Sequence, residues 1–322
     1  MPVLPSLLDM PSVHKQQPLH SLTPSSMICV TGVMFHEGTL EVPRMLEGGN
    51  SILCYIKYRT FRPRQLNTQP PPLIVIHGGP SIPSNYLLSL VNVITDRAIV
   101  FYDQVGCGRS TRPSQKECYS LDYSVSDLRA LLHHLKLTKY HLFGQSFGGI
   151  VAFEFIKTCT TKVERNKCRS IILSSSPTST ALVQEESNRL LQQISNSNPD
   201  SNKQTIQELF RQQYECRVVP TPLPLMDAYA QAGTIWRGME AIPEYVAYDV
   251  IPTTAALIIR GQHDFVTERC IEGWSTLLPK SQLVTLAGCS HHGLLEHESM
   301  HGAVVGGFLE DNDATFIERG CY

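Results

Sequence analysis

The sequence predicts an α/β fold, in which a mostly parallel central sheet carries helices on both of its faces. Short runs of β-branched and apolar residues alternate with longer amphipathic stretches along most of the chain. Strands that are apolar throughout are buried on both faces, and such strands separated by helices are typical of parallel sheets. The 322 residues, 42% of them hydrophobic and 17% charged, are enough for one sizeable core that carries an insertion.

Seven short segments have the composition of buried strands. They lie at 52–58, 73–76, 98–102, 140–143, 170–173, 256–259 and 282–286. Amphipathic stretches with helical spacing predict the helices that cover this sheet. These stretches lie at 125–135, 149–158 and 300–309.

The alternation of strands and helices breaks between about 177 and 248. Gln, Asn, Ser and Glu dominate there, and helix-like segments at 185–194 and 203–214 follow one another without a strand. A helical insertion between two core strands fits this pattern better than a second independent domain. We therefore expect an N-terminal tail, a core in two parts and a helical cap, at 1–26, at 27–176 with 249–322, and at 177–248.

Composition and charge exclude several kinds of partner. The formal net charge is −2 and the basic residues are scattered, so we expect neither nucleic acid nor a membrane surface as a partner. The ten cysteines lie at irregular positions without a C-x-x-C pair, which indicates mostly reduced thiols. Without a membrane-spanning run or a signal-peptide pattern, the expected location is cytoplasmic. Residues 1–26 form either a loose tail or an organelle transit peptide.

The sharpest functional signal is a G-x-S-x-G pattern, FGQSFGG at 143–149. It lies between a predicted strand and a predicted helix, where the serine occupies the tip of a tight turn. Gly144 and Gly148 permit the strained backbone and the close packing that this turn needs. Ser146 is therefore the candidate nucleophile. The backbone N–H of Phe147, at the start of the helix, is a candidate donor to an oxyanion.

A second glycine-rich motif, HGGP at 77–80, follows the strand predicted at 73–76. Glycines at such a turn let the main chain approach a substrate carbonyl. A backbone N–H of Gly78 or Gly79 is thus a candidate for the other half of an oxyanion hole. An ordinary strand-to-helix turn is the alternative interpretation, and the position of the motif upstream of Ser146 favours the functional one.

An acid and a histidine follow the serine in the order that this type of catalytic triad requires. Asp264 comes just after the strand predicted at 256–259, and His291 comes just after the strand predicted at 282–286. Carboxyl ends of parallel strands meet at one edge of a sheet, so these side chains are expected near Ser146. The predicted triad therefore has Ser146 as nucleophile, His291 as base and Asp264 as the orienting acid.

The histidines around the predicted base allow two further interpretations. His292 competes with its neighbour for the role of base. A metal site is the other interpretation, because two of four nearby histidines lie one helical turn apart. No carboxylate or cysteine completes a convincing ligand set. The four are His291, His292, His297 and His301. We expect neither a metal nor an organic cofactor.

Taken together, the motifs resemble the proline iminopeptidase family, the prolyl aminopeptidases of the α/β-hydrolase fold. The resemblance covers about 37–309 and rests on HGGP at 77–80, FYDQVGCGRS at 101–110, GQSFGG at 144–149, GQHD at 261–264 and CSH at 289–291. It implies the α/β-hydrolase fold and release of N-terminal proline through an acyl-enzyme. In the family the triad histidine follows a small residue, which places the base at His291.

The resemblance also implies that carboxylates of the cap hold the free α-amino group of the substrate. The segment MEAIPEY at 239–245 is similar to the family's segment in which a glutamate precedes an aromatic residue. That similarity puts Glu244 in the amine-binding role. A looser match near 214–217 suggests Glu215 or Glu208 as a second carboxylate.

The chain departs from the family's pattern at two positions near the nucleophile. Ser81 replaces the usual glycine after HGGP, and Phe147 replaces the usual tryptophan after the serine. The expected substrate is a short peptide or small molecule with a free N-terminus. An esterase, lactonase or amidase acting on a small metabolite is one alternative, and a ligand-binding protein without turnover is another. The sequence predicts no particular oligomeric state.

Overall fold

The computed structural model describes residues 33–64 and 70–313. Its centre is a sheet of eight strands: β1 (Val33–Met45), β2 (Ser51–Pro63), β3 (Leu73–Ile76), β4 (Ile99–Asp103), β5 (Tyr140–Gln145), β6 (Cys168–Ser174), β7 (Ala255–Gly261) and β8 (Ser281–Leu286). Their order is β1-β2-β4-β3-β5-β6-β7-β8. All pairs from β4 to β8 are parallel, whereas β2 runs antiparallel to both of its neighbours. The predicted α/β-hydrolase fold with a mostly parallel sheet is confirmed.

Helices connect most of the strands. In the described part of the chain they are α1 (Leu90–Val93), α2 (Leu121–His134), α3 (Phe147–Thr158), α4 (Lys162–Lys167), α5 (Thr180–Ser197), α6 (Lys203–Phe210), α7 (Leu223–Ala230), α8 (Glu268–Ile271), α9 (Gly273–Leu277), α10 (Gly293–Glu296) and α11 (Glu298–Asp311). A π-helical turn at Arg211–Glu215 continues α6.

The two faces of the sheet are covered by different helices because side chains alternate along each strand. On β3, Ile74 and Ile76 pack with the buried residues of α2 and α3. Leu73 and Val75, one residue out of phase, pack with the buried residues of α1 and α11. This packing gives the sheet a helical layer on each side and leaves the carboxyl ends of the parallel strands for the site.

The predicted strands agree with the structure, and the structure adds one more. β3 has the predicted bounds, and β2 runs five residues beyond the predicted end at 58, to Pro63. The additional strand β1 pairs with the full length of β2. Gly38 and Pro43 interrupt its pattern, and such residues disfavour a central strand. At the edge of the sheet a proline costs no ladder hydrogen bond on the open side, so β1 forms in spite of them.

The helices α5, α6 and α7 lie between β6 and β7, in the interval where the cap is predicted. A small apolar cluster of Leu190, Ile194, Ile206 and Phe210 packs α5 against α6. This cluster is separate from the two clusters on the sheet, so the helical segment has a core of its own.

Two observations on the described residues concern membrane crossing and the state of the cysteines. No helix within 33–64 or 70–313 is long and apolar enough to cross a lipid bilayer. The eight cysteines of these ranges are free, and all of them are buried. The tail predicted at 1–26 lies outside the described residues.

Candidate active site

Ser146 occupies the turn between β5 and α3 in a strained conformation. Its φ of 52° is one that residues with a side chain rarely adopt. A backbone hydrogen bond and close backbone packing both constrain this turn. The Ser146 N–H donates to the Ser174 carbonyl at 2.8 Å. A Cβ atom on Gly144 or Gly148 would lie 2.3 or 2.1 Å from backbone oxygens. Only glycine fits those two positions, and the turn therefore presents the serine at the carboxyl edge of the sheet.

Asp264 and His291 form a buried pair at the same edge. Nδ1 of His291 lies 2.9 Å from Oδ1 of Asp264, which also accepts the N–H of Val266 at 2.8 Å. The exposed fractions of the two side chains are 7% for the histidine and 0% for the aspartate. A carboxylate at Nδ1 keeps the proton on that nitrogen and leaves Nε2 as the acceptor that a base needs. His291 and Ser146 line one cavity.

His292 lies in a different environment from its neighbour. Its Nε2 is 3.2 Å from the hydroxyl of Tyr229, and its ring meets the ring of Tyr86 edge to face at 5.2 Å. Burial lowers the pKa of His292 well below its usual value. The side chain is therefore neutral near pH 7 and part of an aromatic wall, whereas the carboxylate of Asp264 contacts His291.

The two glycines of the HGGP motif differ in their hydrogen bonding. The Gly78 N–H donates to the hydroxyl of Tyr86 at 2.8 Å, and that hydroxyl donates to Oε1 of Gln145 at 2.7 Å. The Gly78 N–H is thus engaged within the protein, and the prediction of an oxyanion donor at Gly78 is corrected. Gly79 lines the cavity instead. Phe147 is the first residue of α3, where helix N–H groups point towards the site.

The two departures from the family's pattern meet at one residue of the helical segment. The Ser81 hydroxyl donates to the carbonyl of Trp236 at 2.7 Å. The ring of Phe147 meets the indole of Trp236 edge to face, with centroids 5.2 Å apart. Ser81 and Phe147 therefore both contact the segment between β6 and β7, and these contacts connect it to the turns around the nucleophile.

Glu215 is a buried carboxylate on the wall of the cavity, which has a volume of about 660 Å³. Burial raises the pKa of Glu215 to about 7, although nearby Arg211 and His291 favour its ionised form. The backbone holds it beside the base. The His291 N–H donates to the Tyr214 carbonyl at 3.2 Å, and the His292 N–H donates to the Glu215 carbonyl at 3.0 Å. Two backbone hydrogen bonds therefore join the turn that carries Glu215 to the histidine loop.

The prediction for Glu244 is wrong. Its side chain is exposed, and the described residues that line the cavity include Glu215 and Glu240 but not Glu244. The reason lies in the packing of the same segment. The hydroxyl of Tyr245 donates to Glu154 on α3 at 3.0 Å. This contact turns the segment towards α3 and leaves its neighbouring glutamate in solvent. Glu208, the looser candidate, is also half exposed and pairs with Arg211.

Sequence reasoning missed two tyrosines of the site. Tyr86 bridges the HGGP turn and Gln145, while Tyr229 contacts both His292 and the carboxylate of Glu215. Neither tyrosine belongs to a recognisable motif. Their positions depend on how separate elements pack, so the sequence carries no local signal for them.

Comparisons with known proteins agree with this architecture. Residues 71–218 match the α/β-hydrolase fold family model. The proline iminopeptidase of Lactobacillus helveticus is 27% identical over 300 residues, which cover 84% of this chain and 99% of the relative. The proline iminopeptidase of Lactiplantibacillus plantarum is 38% identical over 140 residues, 43% of this chain and 47% of the relative. The crystal structure of the Mycobacterium smegmatis proline iminopeptidase has a TM-score of 0.69 at 25% identity, covering 85% of this chain and 98% of that chain.

The fold and the site define the class, and the chain is a serine hydrolase with the α/β-hydrolase fold. Within that class it is similar along most of its length to the proline iminopeptidases. The resemblance to that family inferred from the motifs is thereby confirmed.

Proposed function

We propose that this protein is an aminopeptidase that releases N-terminal proline from short peptides. The observation that carries the proposal is the buried carboxylate of Glu215 in the cavity that Ser146 and His291 also line. A free α-amino group is cationic at neutral pH, and taking it out of water without a partner costs several kcal/mol. Glu215 is that partner. The similarity to proline iminopeptidases supports proline as the residue that carries the amine.

The proposed reaction passes through an acyl-enzyme. His291 removes the proton of Ser146 as the serine oxygen attacks the prolyl carbonyl carbon, and Asp264 holds the imidazole in the required tautomer. The oxyanion accepts hydrogen bonds from the N–H groups of Phe147 and Gly79, each worth about 3 kcal/mol. His291 then protonates the leaving amine, and water attacks the acyl-enzyme to release proline. These steps require neither a metal nor an organic cofactor.

The proposal also includes the division into cap and core and the cellular location. The cap is placed at 177–248 on a core of 27–176 and 249–322, and this division is supported by the separate apolar cluster between α5 and α6. The proposed location is cytoplasmic. The eight buried free thiols support it, because thiols persist in a reducing compartment.

Glu215→Gln tests the proposed amine-binding role directly. Loss of a charge-assisted hydrogen bond to a desolvated cation should lower kcat/KM for prolyl p-nitroanilide by about 2–4 kcal/mol, or about 30- to 1000-fold. Hydrolysis of a small neutral ester should change by less than about threefold, because an ester does not use the carboxylate. Steady-state kinetics on both substrates measures this split.

The exposed Glu244 provides the matched control for this experiment. Glu244→Gln should leave both rates unchanged, since its side chain lies outside the cavity lining. The wild-type protein should cleave prolyl p-nitroanilide and spare its N-acetylated counterpart. Equal rates on the free and acetylated compounds would contradict the proposal, as would equal losses on arylamide and ester in Glu215→Gln.

The pH dependence should also report on Glu215, whose pKa burial raises to about 7. Above that pH the carboxylate is ionised and pairs with the cationic amine, whereas below it the group is neutral and the pairing is lost. The same base serves both substrates, so its contribution cancels in a ratio of rates. The ratio of kcat/KM for prolyl p-nitroanilide to that for a neutral ester should rise with pH through about 7. A flat ratio in the wild-type protein would contradict this assignment, and Glu215→Gln should give one.

A further inference from the structure

The cavity extends well beyond the groups that the reaction needs. Its far wall is one face of α5, on which five polar side chains recur at helical spacing. They are Gln184, Ser187, Asn188, Gln192 and Ser195. The charged residues of this helix, Glu185, Glu186 and Arg189, are absent from the described cavity lining. With Val183 and Leu191, which also line the cavity, the five polar side chains form a neutral wall that carries several hydrogen-bonding groups.

Ser187 indicates that this wall is built for a ligand. The residue is 0% exposed, and its hydroxyl has no hydrogen-bond partner among the described residues. Serines inside helices often satisfy such a hydroxyl on a preceding carbonyl, as Ser124 does with the carbonyl of Ser120 at 3.3 Å. A buried hydroxyl without a partner costs free energy, and this one lies at the cavity. A substrate group that donates or accepts a hydrogen bond would remove that cost.

The two amides beside Ser187 are exposed and hydrogen-bonded to each other. The side-chain N–H of Gln184 donates to Oδ1 of Asn188 at 3.1 Å. This bond leaves the carbonyl oxygen of Gln184 and the amide N–H groups of Asn188 for a ligand. A wall that offers both acceptors and donors matches a chain of peptide groups, which present both in turn.

Glu186 connects α5 to the loop that follows Asp264. Glu186, next to Ser187, accepts a hydrogen bond from the Thr267 hydroxyl at 3.0 Å and contacts Arg269 at 3.4 Å. Thr267 follows Asp264 by three residues on the same loop. The helix that carries the polar wall therefore contacts the loop that carries the proposed acid.

From these observations we infer that the polar face of α5 is a subsite for the peptide that leaves when proline is released. The inference rests on the proposed function, in which Glu215 holds the amine and Ser146 attacks the prolyl carbonyl. With the amine fixed at Glu215, the peptide beyond the scissile bond extends along the rest of the cavity. From Gln184 to Ser195 the helix rises about 16 Å. An extended peptide covers that length with about five residues at roughly 3.3 Å each.

The experiment compares proline followed by one to six glycines with prolyl p-nitroanilide, whose leaving group contains no further peptide groups. Released proline is measured by chromatography. For the wild-type protein, kcat/KM should rise with peptide length to about five glycines and then level off, because remote contacts contribute to the transition state. Ser187→Ala and Gln192→Leu should each lower kcat/KM for the longest peptide by about three- to tenfold. Both should leave the p-nitroanilide within twofold of wild type.

Gln193→Leu is the matched control, since Gln193 is the adjacent exposed glutamine on α5 and lies outside the described cavity lining. It should behave as wild type on every substrate. Ser187→Ala removes a hydroxyl without a partner, so its Tm should not fall and a lower rate would not reflect unfolding. No dependence on length, or equal losses for Gln192→Leu and Gln193→Leu, would overturn the subsite while leaving the proposed function intact. Failure of wild type to cleave any proline substrate would overturn both.

Discussion

Ser146→Ala should lower kcat/KM by about 10⁴- to 10⁶-fold, because the variant lacks the oxygen that forms the acyl-enzyme. The fold should survive the change. Alanine meets the same strain as serine at a φ of 52°, and the backbone N–H of residue 146 keeps its bond to Ser174. Thermal unfolding should therefore give a Tm close to that of the wild-type protein, and the loss of activity should reflect chemistry.

Ser175 offers a matched control for this variant. It is a second buried serine with a φ of 52°, and it lies just past β6, outside the described cavity lining. Ser175→Ala should keep wild-type activity. A fluorophosphonate probe should label wild type and Ser175→Ala but not Ser146→Ala, with the adduct located by mass spectrometry. An adduct elsewhere in the wild-type chain, or turnover in Ser146→Ala, would show that another residue is the nucleophile.

The parts of the molecule that the sequence predicts are those fixed by local physics. Central strands such as β3 are buried on both faces, so they are apolar throughout and can be recognised without a partner. The serine turn needs glycine at positions 144 and 148 because backbone atoms lie where a Cβ atom would be. Asp264 and His291 follow strands of one parallel sheet. Their meeting at 2.9 Å therefore follows from topology.

The parts that sequence reasoning missed depend on contacts between distant segments. Glu244 and Glu215 both lie in the predicted cap, and either glutamate satisfies a pattern of residue types. Their environments differ. Tyr245 donates a hydrogen bond to Glu154, which leaves Glu244 in solvent, whereas backbone hydrogen bonds hold Glu215 beside the histidine loop. The Trp236 contacts and the polar wall of α5 likewise exist only after the helical segment has packed against the sheet.

His291→Ala should lower kcat/KM by about 10⁴-fold or more on both peptide and ester substrates, because neither reaction proceeds without the base. His292→Ala should lower it by less than about tenfold. The two residues are adjacent and both are buried, but the carboxylate of Asp264 contacts His291, while His292 packs between Tyr86 and Tyr229. The comparison therefore separates a role in proton transfer from a role in the wall of the cavity.

Both variants should lose stability, but for different physical reasons. His292→Ala removes a ring that is packed against two tyrosines, and the cavity it leaves should cost about 2–4 kcal/mol of unfolding free energy. His291→Ala leaves the buried carboxylate of Asp264 with the Val266 N–H but without the imidazole, which should cost a comparable amount. Denaturant unfolding and kinetics on the same samples should therefore show similar losses of stability and very different losses of activity. A large kinetic defect in His292→Ala with a mild one in His291→Ala would assign the base to His292, because the pairing at Asp264 would then be structural only.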